Sequence, residues 1–150
     1  MTTHQLTEES HAEEHGMEHV RVETPYGLLG FETIKDYYLI SDPEEKPFMW
    51  FQMKGDESEA KSFLVISPFV IHEGYSPEFS DEEMESIGIE SVEDVLLINI
   101  VTIHSKGSAS VNLKGPIVIN KRLLKGKQIV PINAMDYRVD HPLTTDSNII

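Results

Sequence analysis

The sequence has 150 residues, the usual length of one domain, and a formal net charge of −14. It contains no cysteine, which excludes disulfide bonds, cysteine-ligated zinc and thiolate catalysis. A chain with this negative charge attracts basic proteins and repels nucleic-acid phosphates. We therefore expect no direct nucleic-acid binding. Solubility alone is the other interpretation of this charge.

The hydrophobic segments are too short for a membrane helix. The longest apolar run, Val95–Ile103, has nine residues and is interrupted by Asn99, whereas a membrane span needs about 20. The first ten residues show neither the basic region nor the apolar region of a signal peptide. Together with the lack of cysteine, these features predict a soluble, cytoplasmic protein without a membrane partner.

Three regions follow one another along the chain. Residues 1–18 are polar and acidic and are predicted to be a disordered tail. Residues 19–143 are predicted to form one folded domain, and residues 144–150 a flexible C-terminal tail. The domain opens with Val20 and Val22 on one face of a strand, opposite Arg21 and Glu23.

Further strands are predicted from short apolar or alternating segments separated by polar connectors. They cover residues 37–41, 47–53, 62–67, 95–103, 108–114, 116–120 and 127–132. The run from 95 to 103 is apolar on both faces, and in the next strand Ser108, Ser110, Asn112 and Lys114 are expected to face outward. Strands so short and so closely spaced predict a mainly β, single-domain antiparallel β-barrel of about eight strands.

One or two short helices complete the predicted fold. In "SDEEMESI", Ser80 is a helix N-cap with Glu83 three residues later, which is a capping box. Asp81 and Glu82 lie where the helix dipole favours negative charge, and Gly88 is expected to end the helix. The segment "ESVED" adds a possible further turn.

The motifs that would carry catalysis or metal binding are incomplete. The segment "HAEEH", residues 11–15, matches an H-x-x-E-H zinc pattern in which His11 and His15 chelate and Glu14 acts as base. It lies in the acidic tail, outside the predicted scaffold, so adventitious metal binding is the alternative. We therefore predict no catalytic residue, no required metal and no cofactor.

Amides, not reactive groups, stand at the ends of the clearest strand pair, "NLKGPIVIN". Asn112 and Asn120 are expected to cap strand ends or to bridge turns, with direct contact to a partner as the alternative. Amides at the strand ends are consistent with a protein that presents a binding surface, and they do not require a catalytic role.

Several segments, in order along the chain, resemble the bacterial flagellar assembly factor family, FliW. They are "GLLGFE" (27–32), "SPFVIHEGYSPEF" (67–79), "NLKGPIVIN" (112–120), "KGKQIV" (125–130) and "DYRVDHPL" (136–143). Their family-motif residues are Gly30, Phe31, Glu32, Asn112, Pro116, Asn120, Gln128, His141 and Pro142. Gly115 stands where the family usually has alanine, and Ser67 where aspartate or asparagine is commoner.

The resemblance implies a regulator that is not an enzyme. Members of this family bind the carbon storage regulator CsrA, relieve its repression of flagellin messenger RNA, and bind flagellin as a competing partner. Two alternatives stay open: a ligand- or flavin-binding β-barrel enzyme, and a secretion chaperone that holds flagellin only.

The acidic and aromatic strip between residues 68 and 85 is the predicted partner surface. Residues 77–94 hold eight acids and no base, next to three aromatic rings. The residues expected to contact a basic partner are Phe69, Tyr75, Glu78, Phe79, Asp81, Glu82 and Glu85. The alternative is that the rings pack the short helix onto the barrel instead.

Overall fold

A computed structural model describes residues 16–55 and 61–143. This part of the chain contains nine strands and one α-helix, α1 (Asp81–Ser86). The strands are β1 (Glu18–Glu23), β2 (Asp36–Ser41), β3 (Phe48–Met53), β4 (Ser62–Ile66), β5 (Val95–Ile103), β6 (Ala109–Val111), β7 (Ile117–Asn120), β8 (Lys125–Gln128) and β9 (His141–Leu143).

Seven of the strands close into a barrel. Strands β1 to β4 form an antiparallel meander, β4 pairs with β5, β5 with β7, and β7 with β8. The ring closes where β8 meets β1 in a parallel bridge between Glu23 and Lys125, where the Glu23 N–H donates to the Leu124 carbonyl at 2.9 Å. The prediction of a mainly β, largely antiparallel barrel with a short helix is confirmed.

Strand β5 belongs to the barrel and also to a second layer. Its first half pairs with β7, its middle pairs with β4 through Val65 and Ile66, and its last three residues pair with β6. Strand β9 then adds to β6. We call β6 and β9 the flap, because the two strands leave the ring at the point where β5 turns away from β4.

Two apolar clusters lie on opposite sides of the barrel wall. The first fills the interior and includes Val22, Phe51 and Ile98; Tyr37 and Phe51 stack there with ring centroids 4.5 Å apart. The second lies outside the wall and is covered by α1, the flap and the loop before α1; it includes Leu97 and Val118. Residues 95–101 of β5 are therefore covered on both faces, as the apolar residues on both faces of the run predicted, whereas Thr102 and Ile103 are exposed.

Helix α1 has the N-cap and the end that its sequence predicted. The Ser80 Oγ accepts a hydrogen bond from the Glu83 N–H at 3.2 Å. The N–H groups of Gly88 and Ile89 donate to the carbonyls of Glu85 and Met84, the bonding pattern of a Schellman motif with Gly88 at φ +73°. The capping box is only half formed, because the Glu83 carboxylate pairs with Lys127 at 3.0 Å.

Ser110 was expected to face solvent, and this expectation was wrong. Its exposed fraction is 7% because β9 pairs with β6 on the side away from β5. The His104 Nε2 lies 2.8 Å from the Ser110 Oγ and completes the hydrogen bonding there.

The two predicted tails fall largely outside the described residues. Residues 1–15, with the "HAEEH" motif, and residues 144–150 are not described. Glu18, assigned to the N-terminal tail, is the first residue of β1. No helix in residues 16–55 or 61–143 is long and apolar enough to cross a membrane.

Candidate protein-binding surface

An apolar groove of about 470 Å³ lies on the outer side of β5. Its walls come from the loop before α1, from α1 itself, and from the 3₁₀ turn Val92–Asp94 that leads into β5. We call it the aromatic groove. It is lined by Ser67, Phe69, Tyr75, Ser76, Pro77, Phe79, Met84, Val92, Val95, Leu96 and Leu97.

The three aromatic rings expected to bind a partner differ in exposure. Phe69 is 50% exposed, with its ring centroid 6.3 Å from that of Tyr75. Tyr75 is only 4% exposed, and its hydroxyl donates to the Leu113 carbonyl at 2.6 Å. Phe79 is half-buried and packs against the second cluster. Phe69 is thus the ring that a partner can reach, whereas Tyr75 forms part of the core beneath it.

The Tyr75 hydroxyl stays protonated at neutral pH and donates a hydrogen bond inside the fold. Burial is the main reason that the pKa of Tyr75 is raised to about 12. The ring is held by an edge-to-face contact with Tyr137, whose hydroxyl accepts from the Ser76 N–H at 3.0 Å. These contacts fix the loop that carries Phe69.

Exposed acidic side chains are sequence neighbours of the groove-lining residues Pro77, Phe79 and Met84. Asp81, Glu82 and Glu85 are exposed on α1, and Glu78 is exposed just before the helix. The Glu78 main chain is fixed by Asn133, whose Oδ1 accepts from the Glu78 N–H at 2.8 Å. Within the described residues, none of these four carboxylates has an ion-pair partner.

Other acids of this segment are neutralised inside the molecule. Glu83 pairs with Lys127, and Arg122 lies 3.5 Å from Glu90 and 3.7 Å from Asp94. The field that a partner meets is therefore weaker than the sequence count of eight acids suggests, and it is centred on the exposed face of α1.

Apolar residues that were not predicted from the sequence complete the groove. Val92 is 84% exposed, and Pro77, Met84 and Leu96 form the floor and walls around it. Val92 could have been selected from the sequence, because it is the single apolar residue in the acidic segment "ESVED". Val92 and the exposed Phe69 line the same groove, and a contiguous exposed apolar patch is typical of a contact surface.

Most family-motif residues lie elsewhere and have structural roles. The Leu29 N–H donates to the Gln128 Oε1 at 3.0 Å, and the Gln128 Nε2 donates to the Gly115 carbonyl at 2.9 Å. The Asn112 Oδ1 accepts from the N–H groups of Lys114 and Gly115. The two Gln128 bonds thus link the "GLLGFE" segment to the turn before β7, and the Asn112 bonds fix that turn.

Asn120 is fully buried and makes three hydrogen bonds. Its Oδ1 accepts from the N–H groups of Arg122 and Leu123, and its Nδ2 donates to the Ile87 carbonyl at 2.9 Å. It therefore caps the turn after β7 and also ties the end of α1 to the barrel. The structural role predicted for Asn112 and Asn120 is confirmed.

The remaining motif residues surround the barrel. Gly30 adopts φ +88°, and its N–H donates to the Glu32 carboxylate at 3.0 Å, which helps to lower the pKa of Glu32. Phe31 packs edge-to-face on Phe63. Pro116 is buried, and its carbonyl accepts from Ile129.

His141 and Pro142 belong to β9 on the flap. The His141 ring lies 5.9 Å from that of His72, centroid to centroid. Burial, followed by the charges of His72 and Arg138, lowers the pKa of His141. The motif residue thus holds the loop 67–79 against the flap.

Residues 16–55 and 61–143 contain no group of three or more histidine, aspartate or glutamate side chains placed to hold a metal ion. The interior of the barrel is occupied by its own side chains, including the Tyr37–Phe51 stack. The fold defines the class of protein: a small, closed β-barrel with a second apolar layer and an apolar groove outside it.

Comparison with known proteins assigns this barrel to a family. The family model described as "FliW protein" matches residues 3–143. A flagellar assembly factor FliW from Leptospira biflexa is 42% identical over 109 residues, which cover 71% of this chain and 69% of that protein. One from Natranaerobius thermophilus is 36% identical over 124 residues, 81% of this chain and 80% of that protein.

A solved structure agrees with the sequence comparison. The crystal structure of a flagellar assembly factor FliW superposes with a TM-score of 0.75 at 29% identity, covering 85% of this chain and 87% of that one. The chain belongs to the FliW family.

Proposed function

We propose that the chain is a flagellar assembly factor without enzymatic activity that binds CsrA. By binding it, the protein relieves the repression of flagellin messenger RNA, and flagellin competes for the same factor. We expect it to act in the cytoplasm, where CsrA and newly made flagellin meet.

Family membership is the observation that carries this proposal. The relatives that match most of the chain are named flagellar assembly factors. The family model, which matches residues 3–143, spans all the motifs on which the resemblance rests. The described residues contain no cluster placed to hold a metal ion, and binding of a protein partner requires none.

The aromatic groove supports the proposal independently. A protein that binds RNA carries a basic surface, and the unpaired carboxylates of α1 provide the complementary charge beside an apolar groove. Phe69 and Val92 provide exposed apolar area in the same place. A charged rim around an apolar centre is the usual anatomy of a protein–protein interface.

The charge component is tested by reversing Asp81, Glu82 and Glu85 to lysine and measuring CsrA binding by surface plasmon resonance. We expect association to slow by roughly tenfold at low salt, and its salt dependence to flatten, because steering charges act mainly on the encounter rate. The matched control reverses Glu18, Glu23 and Glu44, which are exposed on the β1–β3 side of the barrel. Equal loss in both variants would show that only net charge matters.

The apolar component is tested by Phe69→Ala, with Leu29→Ala as control, since Leu29 is 56% exposed on another surface. We expect Phe69→Ala to raise Kd by roughly tenfold, mainly through faster dissociation, as for a buried interface anchor. Unchanged kinetics would move the interface away from the aromatic groove.

A band-shift assay with a flagellin leader RNA distinguishes the regulator from a chaperone. We expect the wild-type chain to release CsrA from the RNA, and added flagellin to reverse the release. A chain that binds flagellin but not CsrA would be a flagellin-only chaperone, and the proposal would fail.

A further inference from the structure

The connection from β8 to the flap carries three exposed apolar side chains. Val130 is 56% exposed, Ile132 70% and Met135 95%. We call these three residues the apolar ridge. Single apolar side chains are common on protein surfaces, whereas several on one short loop are typical of a contact surface.

The first two residues of the apolar ridge point in the same direction. Ile129 and Pro131 are buried, so buried and exposed residues alternate from 129 to 132, as they do in a strand. Val130 and Ile132 therefore point away from the second apolar cluster, to which Ile129 belongs. A segment that is apolar on both sides is typically covered on both sides. The residues that the structure describes leave the outer side of this one largely uncovered.

Four hydrogen bonds fix the loop that carries the apolar ridge to the segment before α1. The Ile132 N–H donates to the Glu78 carbonyl at 2.7 Å, and the Asn133 Oδ1 accepts from the Glu78 N–H at 2.8 Å. The Asn133 Nδ2 donates to the Ser76 carbonyl, and the Tyr137 hydroxyl accepts from the Ser76 N–H, both at 3.0 Å. Because these bonds already hold the loop, a partner that covers the ridge loses little loop entropy on binding.

The same bonds place the apolar ridge beside the aromatic groove. Ser76, Pro77 and Phe79 line the groove, and Glu78 lies among them in the sequence. Since the N–H and the carbonyl of Glu78 both bond to the ridge loop, this residue joins the groove to the ridge. Its carboxylate is exposed, and no cation of the described residues pairs with it. An exposed negative charge therefore lies where two exposed apolar surfaces meet.

We propose that the apolar ridge is a second anchor for the basic partner that the aromatic groove binds. This inference rests on the proposed function, in which that partner is CsrA. A lysine or arginine of the partner pairs with Glu78. Apolar side chains of the partner on either side of that cation cover Phe69 in the groove and Ile132 and Met135 on the ridge.

The apolar contacts strengthen the ion pair because they exclude water from it. An exposed pair is screened by solvent and contributes little, whereas a pair in drier surroundings attracts more strongly. Contacts that surround a central interaction and exclude water are a regular feature of tight interfaces. Glu78 should therefore act mainly on dissociation, whereas the exposed acids of α1 act on association.

The test measures binding to immobilised CsrA by surface plasmon resonance for Ile132→Ser and for the double variant Ile132→Ser, Met135→Ser. We expect Kd to rise by roughly fivefold and roughly thirtyfold, mainly through faster dissociation. The matched control is Ile103→Ser, because Ile103 is 67% exposed at the end of β5, outside the groove and the ridge. It should change Kd by less than about twofold, and all three variants should keep the Tm of the wild type within about 2 °C.

A double-mutant cycle tests whether Ile132 and Glu78 act in one contact. Glu78→Gln should raise Kd by roughly tenfold in the wild type, but by only about threefold in the Ile132→Ser background, where water already reaches the ion pair. Equal effects in the two backgrounds would overturn the shared contact.

Two further results would overturn the proposal, and they differ in what else they refute. If Phe69→Ala weakens binding while the ridge variants behave like Ile103→Ser, the partner contacts the groove alone and the proposed function is unaffected. If the wild-type chain does not bind CsrA at all, the proposed function fails together with the partner assigned to the ridge.

Discussion

Substitution of Asn120 by alanine tests whether the buried amide at the end of β7 stabilises the fold. The side chain is fully buried and bonds to two N–H groups of the following turn and to the Ile87 carbonyl at the end of α1. Alanine removes all three bonds and inserts no new group. Asn112→Ala is the matched comparison, because the Asn112 Oδ1 also accepts two turn N–H groups but its side chain is only half-buried.

The size of the effect follows from which groups can reach water afterwards. Arg122 and Leu123 are exposed, so their N–H groups regain water, and each lost bond costs about 0.5–1.5 kcal/mol. Ile87 is 1% exposed, so its carbonyl cannot bond to water after it loses the Asn120 amide. This unsatisfied carbonyl adds about 1–3 kcal/mol to the destabilisation. We expect Asn120→Ala to lower the free energy of unfolding by about 3 kcal/mol and Asn112→Ala by about 1–2 kcal/mol.

Urea unfolding followed by circular dichroism measures both values. In a domain of this size 1 kcal/mol corresponds to about 2–4 °C, so Tm should fall by about 6–12 °C for Asn120→Ala. Asn120→Asp keeps the two turn bonds but opposes a carboxylate to the Ile87 carbonyl, and it should also destabilise. A loss below about 1 kcal/mol for Asn120→Ala, or equal losses at both positions, would refute the assignment of Asn120 as the tie between α1 and the barrel.

Two further changes are predicted from local geometry. Gly27→Ala should lower the free energy of unfolding by more than about 2 kcal/mol, because Gly27 has φ +68° and a Cβ would lie 2.5 Å from the Glu32 Cα. Gly30→Ala should lower it by only about 1 kcal/mol in the same assay, because Gly30 has φ +88° but nothing lies within 4 Å of the added Cβ. The folded chain holds the pKa of His141 below its ordinary 6.5, so the unfolded chain binds more protons as the pH falls through that value, and stability should decrease from about pH 7 to pH 5.5. His141→Gln should flatten this dependence, measured as Tm against pH, and a steeper slope in the variant would contradict it.

The strands could be predicted because their signals are local. Alternation in β1 and the long apolar run of β5 depend only on neighbouring residues, and both strands occur where the sequence placed them. The cap of α1 at Ser80 is equally local. The exposure of Ser110 was predicted wrongly because its burial depends on the pairing of β9 with β6. That pairing joins segments about 30 residues apart, and the alternation of apolar and polar residues in β6 does not indicate it.

The candidate surface could be predicted only in part, for the same reason. The exposed acids of α1 are contiguous in the sequence, and their contact with a partner stays a prediction, whereas the groove needs Tyr75, Met84 and Leu97 to meet in space. Exposure also could not be predicted, because the sequence does not distinguish an exposed loop ring such as Phe69 from a buried one such as Tyr75. The ion pair between Glu83 and Lys127 joins residues from opposite halves of the chain, so the sequence count overestimated the free acidic charge.

The closing bridge between Glu23 and Lys125 has a consequence for synthesis of the chain. Strands β1 to β4 pair with their nearest neighbours and can form as soon as they leave the ribosome, but the two edges of that sheet wait for strands made much later. The edge of β4 is covered when β5 arrives, and the edge of β1 only when β8 arrives, about a hundred residues after β1. Until then the nascent sheet exposes two unpaired edges, and the charged side chains of Glu18, Arg21 and Glu23 along β1 keep the longer-lived edge from pairing with another chain.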